Sequence, residues 1–321
     1  MSKIISIVAP VYNEEETIDE FNKRISRVLR DLKSDRYDYE IIYVNDGSQD
    51  LSLKILKGLR QKDPDHIKVI DFSRNFGHQL AITAGIDFAS GAAVVIIDSD
   101  LQDPPELIPE MIEKWEEGFD VVYAVRKQRK AETFFKKITA SCFYYLLRKI
   151  SKINLPRNTG DFRLIDSKVV NSLRRVKERH RFMRGLVCWT GFRQTGIEYV
   201  REKRFAGKTK YPLYKMTIFA LDGITSFSKI PLQISSYLGF FVSFLSFIYI
   251  IINLYLKLFT DQPVRGWTSL IVLICFLGGM QMMFIGIIGE YIGRIYDEVK
   301  QRPLYIIKET EGFSTDHNLE K

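Results

Sequence analysis

Two long apolar segments near the C-terminus restrict the fold of this chain more than any other feature. They are PLQISSYLGFFVSFLSFIYIIINLYLKLF (231–259) and WTSLIVLICFLGGMQMMFIGIIG (267–289). Each contains a charge-free run of the roughly 20 residues that a membrane-spanning helix needs. A buried helical hairpin is the alternative, but runs of this length are typical of membrane helices. We therefore predict a two-helix transmembrane anchor over residues 231–296.

Lysine and arginine side chains flank the two segments unevenly. Before the first segment lie Arg201, Lys203, Arg204, Lys208, Lys210, Lys215 and Lys229, and after the second lie Arg294, Lys300, Arg302 and Lys308. The loop between the segments carries Lys257, Arg265 and Asp261. Because positive charge is retained on the cytoplasmic side of a membrane, we predict that both termini are cytoplasmic.

The charge balance limits the partners of this chain. Its formal net charge of +8 suits nucleic acid, an anionic membrane surface or phosphorylated ligands. The cations concentrate near the membrane segments instead of alternating with aromatic residues, so we expect no nucleic-acid partner. The three cysteines, Cys142, Cys188 and Cys275, lie far apart without a CxxC motif, which argues against a zinc site or a disulfide framework.

Short apolar runs alternate with amphipathic stretches before the membrane segments. The runs predict strands at 3–10, 39–46, 67–73, 92–100 and 119–125. Between them, EETIDEFNKRISRVLRDLK, LSLKILKGLRQK, GHQLAITAGIDFA and PELIPEMIEKWEE have the period of amphipathic helices. This alternation predicts an α/β, Rossmann-like fold with a mostly parallel sheet covered on both faces. Ligands bind at the carboxyl edge of such sheets.

Polar and acidic residues follow several of these strands. The first strand leads into Pro10, Tyr12, Asn13 and Glu14, the second ends in Asn45 and Asp46, and the fourth ends in Asp98 and Asp100. Carboxylates gathered on one rim of a basic protein indicate a ligand site. For Asp46, in the turn sequence NDGS, and for Glu14, before a helix, a turn or capping role is the structural alternative.

The segment VVIIDSDLQDPP (94–105) is the clearest candidate for chemistry. The carboxylates of Asp98 and Asp100 suit Mg²⁺ or Mn²⁺, and Gln102 can add a carbonyl oxygen. Pro104 and Pro105 fix the exit of the loop and open the next helix. The alternative is that the aspartates only form turns and caps. Their position at a strand end favours the metal site.

Four motifs, PVYNE, VNDGS, SRNFGHQLAITAG and DSDLQDPPE, occur in an order and spacing that resemble the inverting family 2 glycosyltransferases of GT-A fold. Within this family the chain is most similar to the polyprenyl-phosphate branch. That branch includes dolichol-phosphate mannose synthase, the undecaprenyl-phosphate aminoarabinose transferase and bactoprenol glucosyl transferase. The two late apolar segments and RFAGKTKYPLYK (204–215) point most to the last. The mannose synthases usually have His where this chain has Asp103, which slightly weakens that interpretation.

The resemblance implies a nucleotide-diphosphate sugar as donor and a polyprenyl phosphate as acceptor. The residues that would contact the nucleotide sugar are Pro10, Tyr12, Glu14, Asp46 and Asp98. Those that would hold Mg²⁺ or Mn²⁺ are Asp98, Asp100 and Gln102. We expect glucose from UDP-glucose, undecaprenyl phosphate and a bacterial plasma membrane, with the product used to modify cell-surface glycans such as lipopolysaccharide. Mannose and modified arabinose are the alternatives.

Basic residues are candidates to hold the acceptor phosphate. In VRKQRK (125–130), Arg126 and Arg129 can bind a phosphate with bidentate geometry. RFAGKTKY adds Arg204, Lys208 and Lys210, for which attraction to anionic headgroups is the alternative. Because a lipid phosphate is largely ionised near neutral pH, orientation matters more than a strong base.

The segment GDFRL (160–164) resembles the part of the family that lies over the acceptor side. Asp161 is expected to orient the acceptor or contact a sugar hydroxyl, and Arg163 to contact phosphate, with a structural pair as the alternative. We expect Asp100, Asp161 and Arg126 to act directly in transfer. His78, in RNFGHQ, is a weaker candidate because a lone histidine often packs or caps.

The predicted organisation is a cytoplasmic GT-A catalytic domain (1–210), an amphipathic interfacial region (211–230), the anchor (231–296) and a cytoplasmic tail (297–321). A helix packed under the catalytic domain is the alternative for the interfacial region. Small residues in GGMQMMFIG favour helix packing, and we expect a homo-oligomer.

Two other functions compete with single transfer. A processive polysaccharide synthase generally has a QxxRW segment and further membrane helices, which this sequence does not show. A membrane-anchored nucleotide-sugar sensor would not need metal-binding carboxylates together with basic acceptor segments.

Overall fold

The computed structural model of the protein describes residues 2–33, 36–127, 156, 158–179, 181–201, 230–259 and 266–313. The chain divides into two compact units, one formed by Met1–Met216 with Arg302–Lys321 and the other by Thr217–Gln301. Apart from Ile230, the predicted interfacial region 211–230 lies outside the described residues.

A mixed sheet forms the centre of the first unit. Its described strands are β1 (Lys3–Val11), β2 (Tyr37–Asn45), β3 (Ile67–Phe72), β4 (Ala93–Ile96), β5 (Val121–Arg126), β6 (Thr159–Asp166), β7 (Gln194–Tyr199) and β8 (Ile307–Glu311). Their order across the sheet is β7-β5-β6-β4-β1-β2-β3-β8. β1 pairs in parallel with β2 and β4, β2 with β3, and β5 with β7, whereas β6 and β8 run antiparallel to their neighbours. The predicted α/β fold with a mostly parallel sheet is confirmed.

The first four of the described helices of the first unit follow the predicted amphipathic stretches, and the last two were not predicted. They are α1 (Ile18–Leu32), α2 (Ser52–Lys62), α3 (His78–Phe88), α4 (Ile108–Glu116), α5 (Ser167–Arg174) and α6 (Met183–Trp189), with a 3₁₀ turn at Pro105–Leu107. In α1, the buried Ile18, Phe21, Ile25 and Leu29 recur every three or four residues. They form one apolar stripe that joins the same core as Ile7 of β1.

The five predicted strands are present as β1 to β5, whereas β6, β7 and β8 are additional. All residues of β1 from Ile5 to Val11 are buried, as expected for a strand covered on both faces. Strand β8 brings the C-terminal residues back to the sheet beside β3. Tyr305, just before β8, stacks on Phe72 with ring centroids 5.2 Å apart and donates a hydrogen bond to Asp87 Oδ2 at 2.9 Å.

A polar network around Glu40 of β2 lies inside the sheet. Its carboxylate accepts hydrogen bonds from Ser6 Oγ at 2.5 Å, from Lys68 Nζ at 2.6 Å and from the Ser90 N–H at 2.8 Å. Burial acts to raise the pKa of Glu40, but these three donors outweigh it and hold the pKa below its ordinary value.

The second unit contains two long helices, α7 (Ile230–Phe259) and α8 (Trp267–Val299). Within the described residues, Phe276–Val299 is long and apolar enough to cross a membrane, and Ser235–Tyr249 is a shorter apolar stretch. Large apolar side chains on both helices, such as Phe240 and Met282, are exposed. The helices coincide with the two apolar segments of the sequence.

Candidate active site

The candidate site begins where β1, β2 and β4 end at the same edge of the sheet. Val11 at the end of β1 lies opposite Asn45 at the end of β2, and the backbone N–H of Asp46 donates to the Val11 carbonyl at 2.9 Å. Ser99 Oγ donates to the Pro10 carbonyl at 3.0 Å, which fixes the loop after β4 against the end of β1. The three loops therefore meet, as parallel strands require.

The loop after β4 is folded by its own polar residues. Asp100 Oδ1 accepts a hydrogen bond from the Gln102 N–H at 3.1 Å, and the intervening Leu101 has a left-handed φ of 60°. Asp100 is 8 % exposed and Asp103 is fully buried. One oxygen of Asp100 thus shapes the loop, as the turn-forming alternative predicted.

Asp98 lies among several negatively charged side chains. Burial raises the pKa of its carboxyl to about 6, and the charges of Asp161, Asp103 and Asp100 add to that increase, while His78 opposes it. Oδ1 of Asp98 is buried and accepts no hydrogen bond from the described residues. A carboxylate placed among three others is suited to a cation, and in this structure His78 Nε2, 3.5 Å from the same Oδ1, supplies part of the opposing charge.

Asp161 on β6 is held from three directions. Arg184 Nε lies 3.0 Å from Asp161 Oδ1, and His78 Nε2 and Gln79 Nε2 each lie 3.3 Å from Asp161 Oδ2. Gln79 also accepts the Met183 N–H at 2.8 Å, so α3 and the start of α6 are joined at this carboxylate. Burial acts to raise the pKa of Asp161, but Arg184 and His78 reverse the effect and hold it below its ordinary range.

His78 bridges two of the carboxylates. Its Nε2 lies 3.5 Å from Asp98 Oδ1 and 3.3 Å from Asp161 Oδ2. Burial acts to lower the pKa of the imidazole, but the two carboxylates raise it to about 9. At neutral pH the ring is therefore a cation that links the loop after β4 to β6. His78 therefore contacts two carboxylates, in addition to any packing or capping considered from the sequence.

One side of the rim is formed by Asp46 and the ends of β1 and β2. The Asp46 carboxylate accepts the N–H groups of Phe76 at 2.7 Å and Gly77 at 3.0 Å, and the residue is 3 % exposed. Gly47 has a left-handed φ of 65°, and a Cβ there would lie 2.4 Å from the Arg74 carbonyl carbon. The structural role of Asp46, which the sequence left open, is therefore filled by two backbone donors.

Tyr12 and Glu14 occupy the entrance to α1. The Tyr12 side chain is 37 % exposed at the rim. The Glu14 N–H donates to Ser52 Oγ at 3.0 Å, and its carbonyl accepts the N–H groups of Thr17 and Ile18 at the start of α1. Glu14 thus lies at a helix N-terminus, as the structural alternative predicted.

Arg163 requires a correction. The sequence predicts that it contacts the acceptor phosphate, but the residue is 3 % exposed, and its guanidinium donates to the carbonyls of Gly160 at 2.8 Å and Asp161 at 3.3 Å. A guanidinium buried against its own strand supports β6 and is not directed to a ligand. We therefore assign it a structural role.

Arg126 lies at the end of β5 beside Asp103. Its Nη2 is 3.6 Å from Asp103 Oδ2, and its Nε donates to the Tyr199 hydroxyl at 3.0 Å. Arg201 Nε lies 3.8 Å from Asp103 Oδ1. The remaining predicted acceptor residues, Arg129, Arg204, Lys208 and Lys210, lie outside the described residues.

Four residues of the site, Gln79, Tyr199, Arg184 and Arg201, were not predicted as site residues from the sequence. The sequence contained one usable signal, because Arg184 is a charged residue in the otherwise apolar stretch FMRGLVCW. Tyr199 had no comparable signal, since a tyrosine at the end of a strand is equally expected in a core.

The family matches agree with the motifs of the sequence. Residues 6–174 match glycosyl transferase family 2, and residues 230–295 match the GtrB C-terminal hairpin. Among solved structures, the mannosyltransferase PcManGT from Pyrobaculum calidifontis in complex with GDP-Man and Mn²⁺ is 18 % identical, with a TM-score of 0.47 over 67 % of this chain and 60 % of that chain.

Two relatives are similar over almost their full length. The chain is 57 % identical to the uncharacterized glycosyltransferase YkcC of Bacillus subtilis, covering 96 % of this chain and 94 % of that protein. It is 47 % identical to the SfII prophage-derived bactoprenol glucosyl transferase of Shigella flexneri, covering 95 % of this chain and 98 % of that protein. The chain is an enzyme that belongs to glycosyl transferase family 2, with the GT-A type of α/β fold that its motifs predict.

Proposed function

We propose that this protein transfers one hexose from a nucleotide-diphosphate sugar to a polyprenyl phosphate, with inversion at the anomeric carbon. The proposal depends most on the 47 % identity to a bactoprenol glucosyl transferase over 98 % of that protein. The matched length includes the family 2 region and the hairpin region together. UDP-glucose is the proposed donor and undecaprenyl phosphate the proposed acceptor, with mannose and modified arabinose as alternative sugars.

The donor is assigned to the edge formed by β1, β2 and β4. We assign the nucleotide to the surface near Pro10, Tyr12, Glu14 and Asp46, where the Tyr12 ring is exposed. We assign the diphosphate to Asp98 and Asp100. Because bringing a diphosphate near several carboxylates is repulsive, the donor requires a cation between them.

The carboxylates fit Mg²⁺ or Mn²⁺ in their chemistry. Their oxygens are the hard ligands that both ions prefer. Among the described residues Asp98 Oδ1 accepts no hydrogen bond, and its ion-pair partner His78 lies 3.5 Å away. The described part of the chain contains no preassembled group of three or more acidic, His or Cys side chains that could hold a metal ion. This is the usual arrangement for Mg²⁺, which takes one or two protein carboxylates and completes its coordination with substrate phosphates and water. Asp98 and Asp100, with Gln102, would hold the ion, which neutralises charge on the departing nucleotide.

The transfer step forms a bond between a lipid phosphate oxygen and the anomeric carbon, while the bond from that carbon to the nucleotide diphosphate breaks. The phosphate oxygen is already ionised, so no proton has to be removed. Asp161 remains a carboxylate because Arg184 and His78 lower its pKa. It is therefore suited to accept a hydrogen bond from a sugar hydroxyl and poorly suited to act as a base.

The acceptor phosphate is assigned to Arg126, with Arg129, Arg204, Lys208 and Lys210 as further predicted contacts. Burial acts to lower the pKa of Arg126, but Asp103 and Tyr199 raise it above its ordinary value, so the guanidinium stays charged. A fixed Arg126 guanidinium near Asp98 and Asp100 would orient the attacking phosphate and lower the entropic cost of the reaction.

Membrane attachment is assigned to the second unit. We propose that α7 and α8 are the two-helix anchor of residues 231–296, with the catalytic unit (1–210) and tail (297–321) in the cytoplasm of a bacterial cell. The apolar segment Phe276–Val299 and the positive charge on both flanks support this topology. Self-association through the small residues of α8 stays a prediction.

A donor screen with product mass analysis tests the function. The purified full chain in detergent is incubated with Mg²⁺, undecaprenyl phosphate and UDP-glucose, GDP-mannose or other nucleotide sugars in turn. One hexose added to the lipid supports the proposal, and the active donor identifies the sugar. A product with many sugars would indicate a processive synthase, and nucleotide binding without any glycolipid would indicate a sensor.

A further inference from the structure

Asp103 is a fully buried carboxylate whose role the proposed function does not explain. It lies in the loop after β4, three residues beyond Asp100, and its side chain is 0 % exposed. Asp103 Oδ1 accepts a hydrogen bond from the Tyr199 hydroxyl and lies 3.8 Å from Arg201 Nε. Asp103 Oδ2 lies 3.6 Å from Arg126 Nη2. Because a buried carboxylate is costly unless it is paired, the contacts with Tyr199, Arg126 and Arg201 allow Asp103 to stay buried.

The Tyr199 hydroxyl connects Arg126 to Asp103 through two consecutive hydrogen bonds. Arg126 Nε donates to the hydroxyl oxygen at 3.0 Å, and the hydroxyl donates its own hydrogen to Asp103. A phenylalanine at 199 could neither accept from the guanidinium nor donate to the carboxylate. The two bonds therefore fix the rotation of the Arg126 fork, whose side chain is 28 % exposed.

The same contacts join three separate parts of the chain. Arg126 ends β5 and Tyr199 ends β7, and the two residues are partners in the parallel register of these strands. The Lys127 N–H also donates to the Tyr199 carbonyl at 2.8 Å. Asp103 belongs to the loop after β4, which also carries Asp98 and Asp100. Its contacts therefore connect this loop to the ends of β5 and β7.

Gly160 leaves space for this arrangement. A Cβ at Gly160 would lie 2.4 Å from Arg126 Nη2. The neighbour in conflict is the end of a flexible side chain, so an added methyl group would displace the guanidinium instead of the backbone. This offers a way to move Arg126 without altering Asp103 or Tyr199.

We propose that Asp103 is a positioning residue that acts through the Tyr199 hydroxyl to hold the Arg126 guanidinium next to the donor carboxylates, where it binds the phosphate of the acceptor. The inference rests on the proposed function, because it assumes a phosphorylated acceptor. It predicts that acceptor binding, and not donor binding, depends on Asp103.

The test uses the full chain with the variants Asp103→Asn, Tyr199→Phe and Gly160→Ala. KM for undecaprenyl phosphate, KM for the active nucleotide sugar and kcat are measured for each. We expect the acceptor KM to rise about tenfold or more in every variant, while the donor KM stays within about twofold. Tyr199→Phe removes both hydrogen bonds of the hydroxyl, Asp103→Asn removes the charge that pairs with Arg126, and Gly160→Ala displaces the guanidinium. If Asp103→Asn does not fold, Tyr199→Phe, which removes a single oxygen, tests the same contact.

A double-mutant cycle separates positioning from general destabilisation. Adding Asp103→Asn to Arg126→Ala should leave the acceptor KM of Arg126→Ala unchanged, because Asp103 acts through that side chain. Glu40→Gln is the matched control, since it also removes a buried, hydrogen-bonded carboxylate; it should lower thermal stability without changing either KM.

The failures can be told apart. An inactive wild-type protein with all donors would overturn the proposed function and, with it, this inference. An active wild-type protein whose acceptor KM is unaffected by Asp103→Asn and Tyr199→Phe would overturn the inference alone. The same holds if the losses from Asp103→Asn and Arg126→Ala multiply in the double variant.

Discussion

Arg184 Nε lies 3.0 Å from Asp161 Oδ1, an ion pair that joins the first turn of α6 to β6. Both side chains are largely buried, with 21 % of Arg184 and 9 % of Asp161 exposed. Arg184 Nη1 also donates to the Thr159 carbonyl at 3.2 Å. One guanidinium thus compensates a carboxylate and a carbonyl of β6, which lets Asp161 remain charged next to Asp98.

Arg184→Ala is therefore expected to be more damaging than its position outside the motifs suggests. Removing the guanidinium leaves the buried Asp161 carboxylate without this ion pair, which should lower the free energy of unfolding by about 3 kcal/mol. Thermal unfolding in detergent should show a midpoint several degrees lower, with transfer activity reduced. Arg184→Lys, which restores the charge without the planar fork, should recover part of the stability. A midpoint for Arg184→Ala equal to that of the wild type would contradict this account.

Variants of Asp100 distinguish a structural from a chemical role of this residue in the loop after β4. Asp100→Ala should reduce transfer by roughly a hundredfold or more while folding and membrane insertion remain. Asp100→Asn keeps an oxygen that can accept the Gln102 N–H but loses the charge. If the residue only formed the turn, Asn would be active. We expect both variants to be inactive, and removal of divalent ions with EDTA to abolish wild-type transfer until Mg²⁺ or Mn²⁺ is restored.

Proton and cation should compete for Asp98. Because the pKa of Asp98 is raised to about 6, the carboxyl is largely protonated below that pH and ionised above it. Affinity for Mn²⁺ in the presence of UDP should therefore rise by up to about tenfold per pH unit below pH 6 and level off above it. Titration calorimetry between pH 5 and 8 measures the profile. Asp98→Asn should show weak binding with no such rise, whereas a flat wild-type profile would remove Asp98 from the cation site.

The sequence was sufficient for the parallel half of the sheet. Strands β1 to β4 are covered on both faces, and their continuous Val and Ile runs are therefore visible as apolar segments. β6 was not predicted because its buried face carries charge: Asp161 and Arg163 are compensated by partners distant in sequence or by backbone carbonyls. Periodicity reports burial of apolar residues, and it does not detect a strand whose polar residues are buried in pairs.

The site was predictable where it follows strand ends and unpredictable where it depends on contacts across the fold. Asp46, Asp98 and Asp100 could be placed together because each follows a strand that ends at the same edge of the sheet. Arg184 and Tyr199 reach the site from a helix and a strand whose positions only the folded chain defines. Arg163 shows the converse, since a guanidinium next to a site residue in sequence is directed into the protein.

Glu40 should make stability depend on pH in the acid range. Its pKa is lower in the folded protein than its ordinary value of 4.5, so its contribution is complete above pH 4.5 and is lost as the pH falls through the folded pKa. Glu40→Gln should lower stability by about 2 kcal/mol at pH 7, because hydrogen bonds to the charged group are lost. The difference in unfolding midpoint between wild type and variant should shrink below pH 4.5. A difference that is constant from pH 7 to pH 3.5 would contradict the assignment.

Gly47 tests how the nucleotide end of the rim is held. Its φ is 65°, and a Cβ added to it would lie 2.4 Å from the Arg74 carbonyl carbon, so alanine would be both strained and in collision with backbone. Gly47→Ala should cost about 3 kcal/mol, the sum of left-handed strain and overpacking. Gly191 provides the control, because its φ is 74° but nothing lies within 4 Å of a Cβ there, so Gly191→Ala should cost only about 1 kcal/mol.

The same pair of variants reports on nucleotide binding. The backbone displaced by Gly47→Ala leads to the Phe76 and Gly77 N–H groups that hold the Asp46 carboxylate. UDP affinity, measured by titration calorimetry, should therefore fall in Gly47→Ala and stay at the wild-type value in Gly191→Ala. Equal unfolding midpoints and equal UDP affinities for the two variants would show that the loops after β2 and β3 do not depend on this close approach.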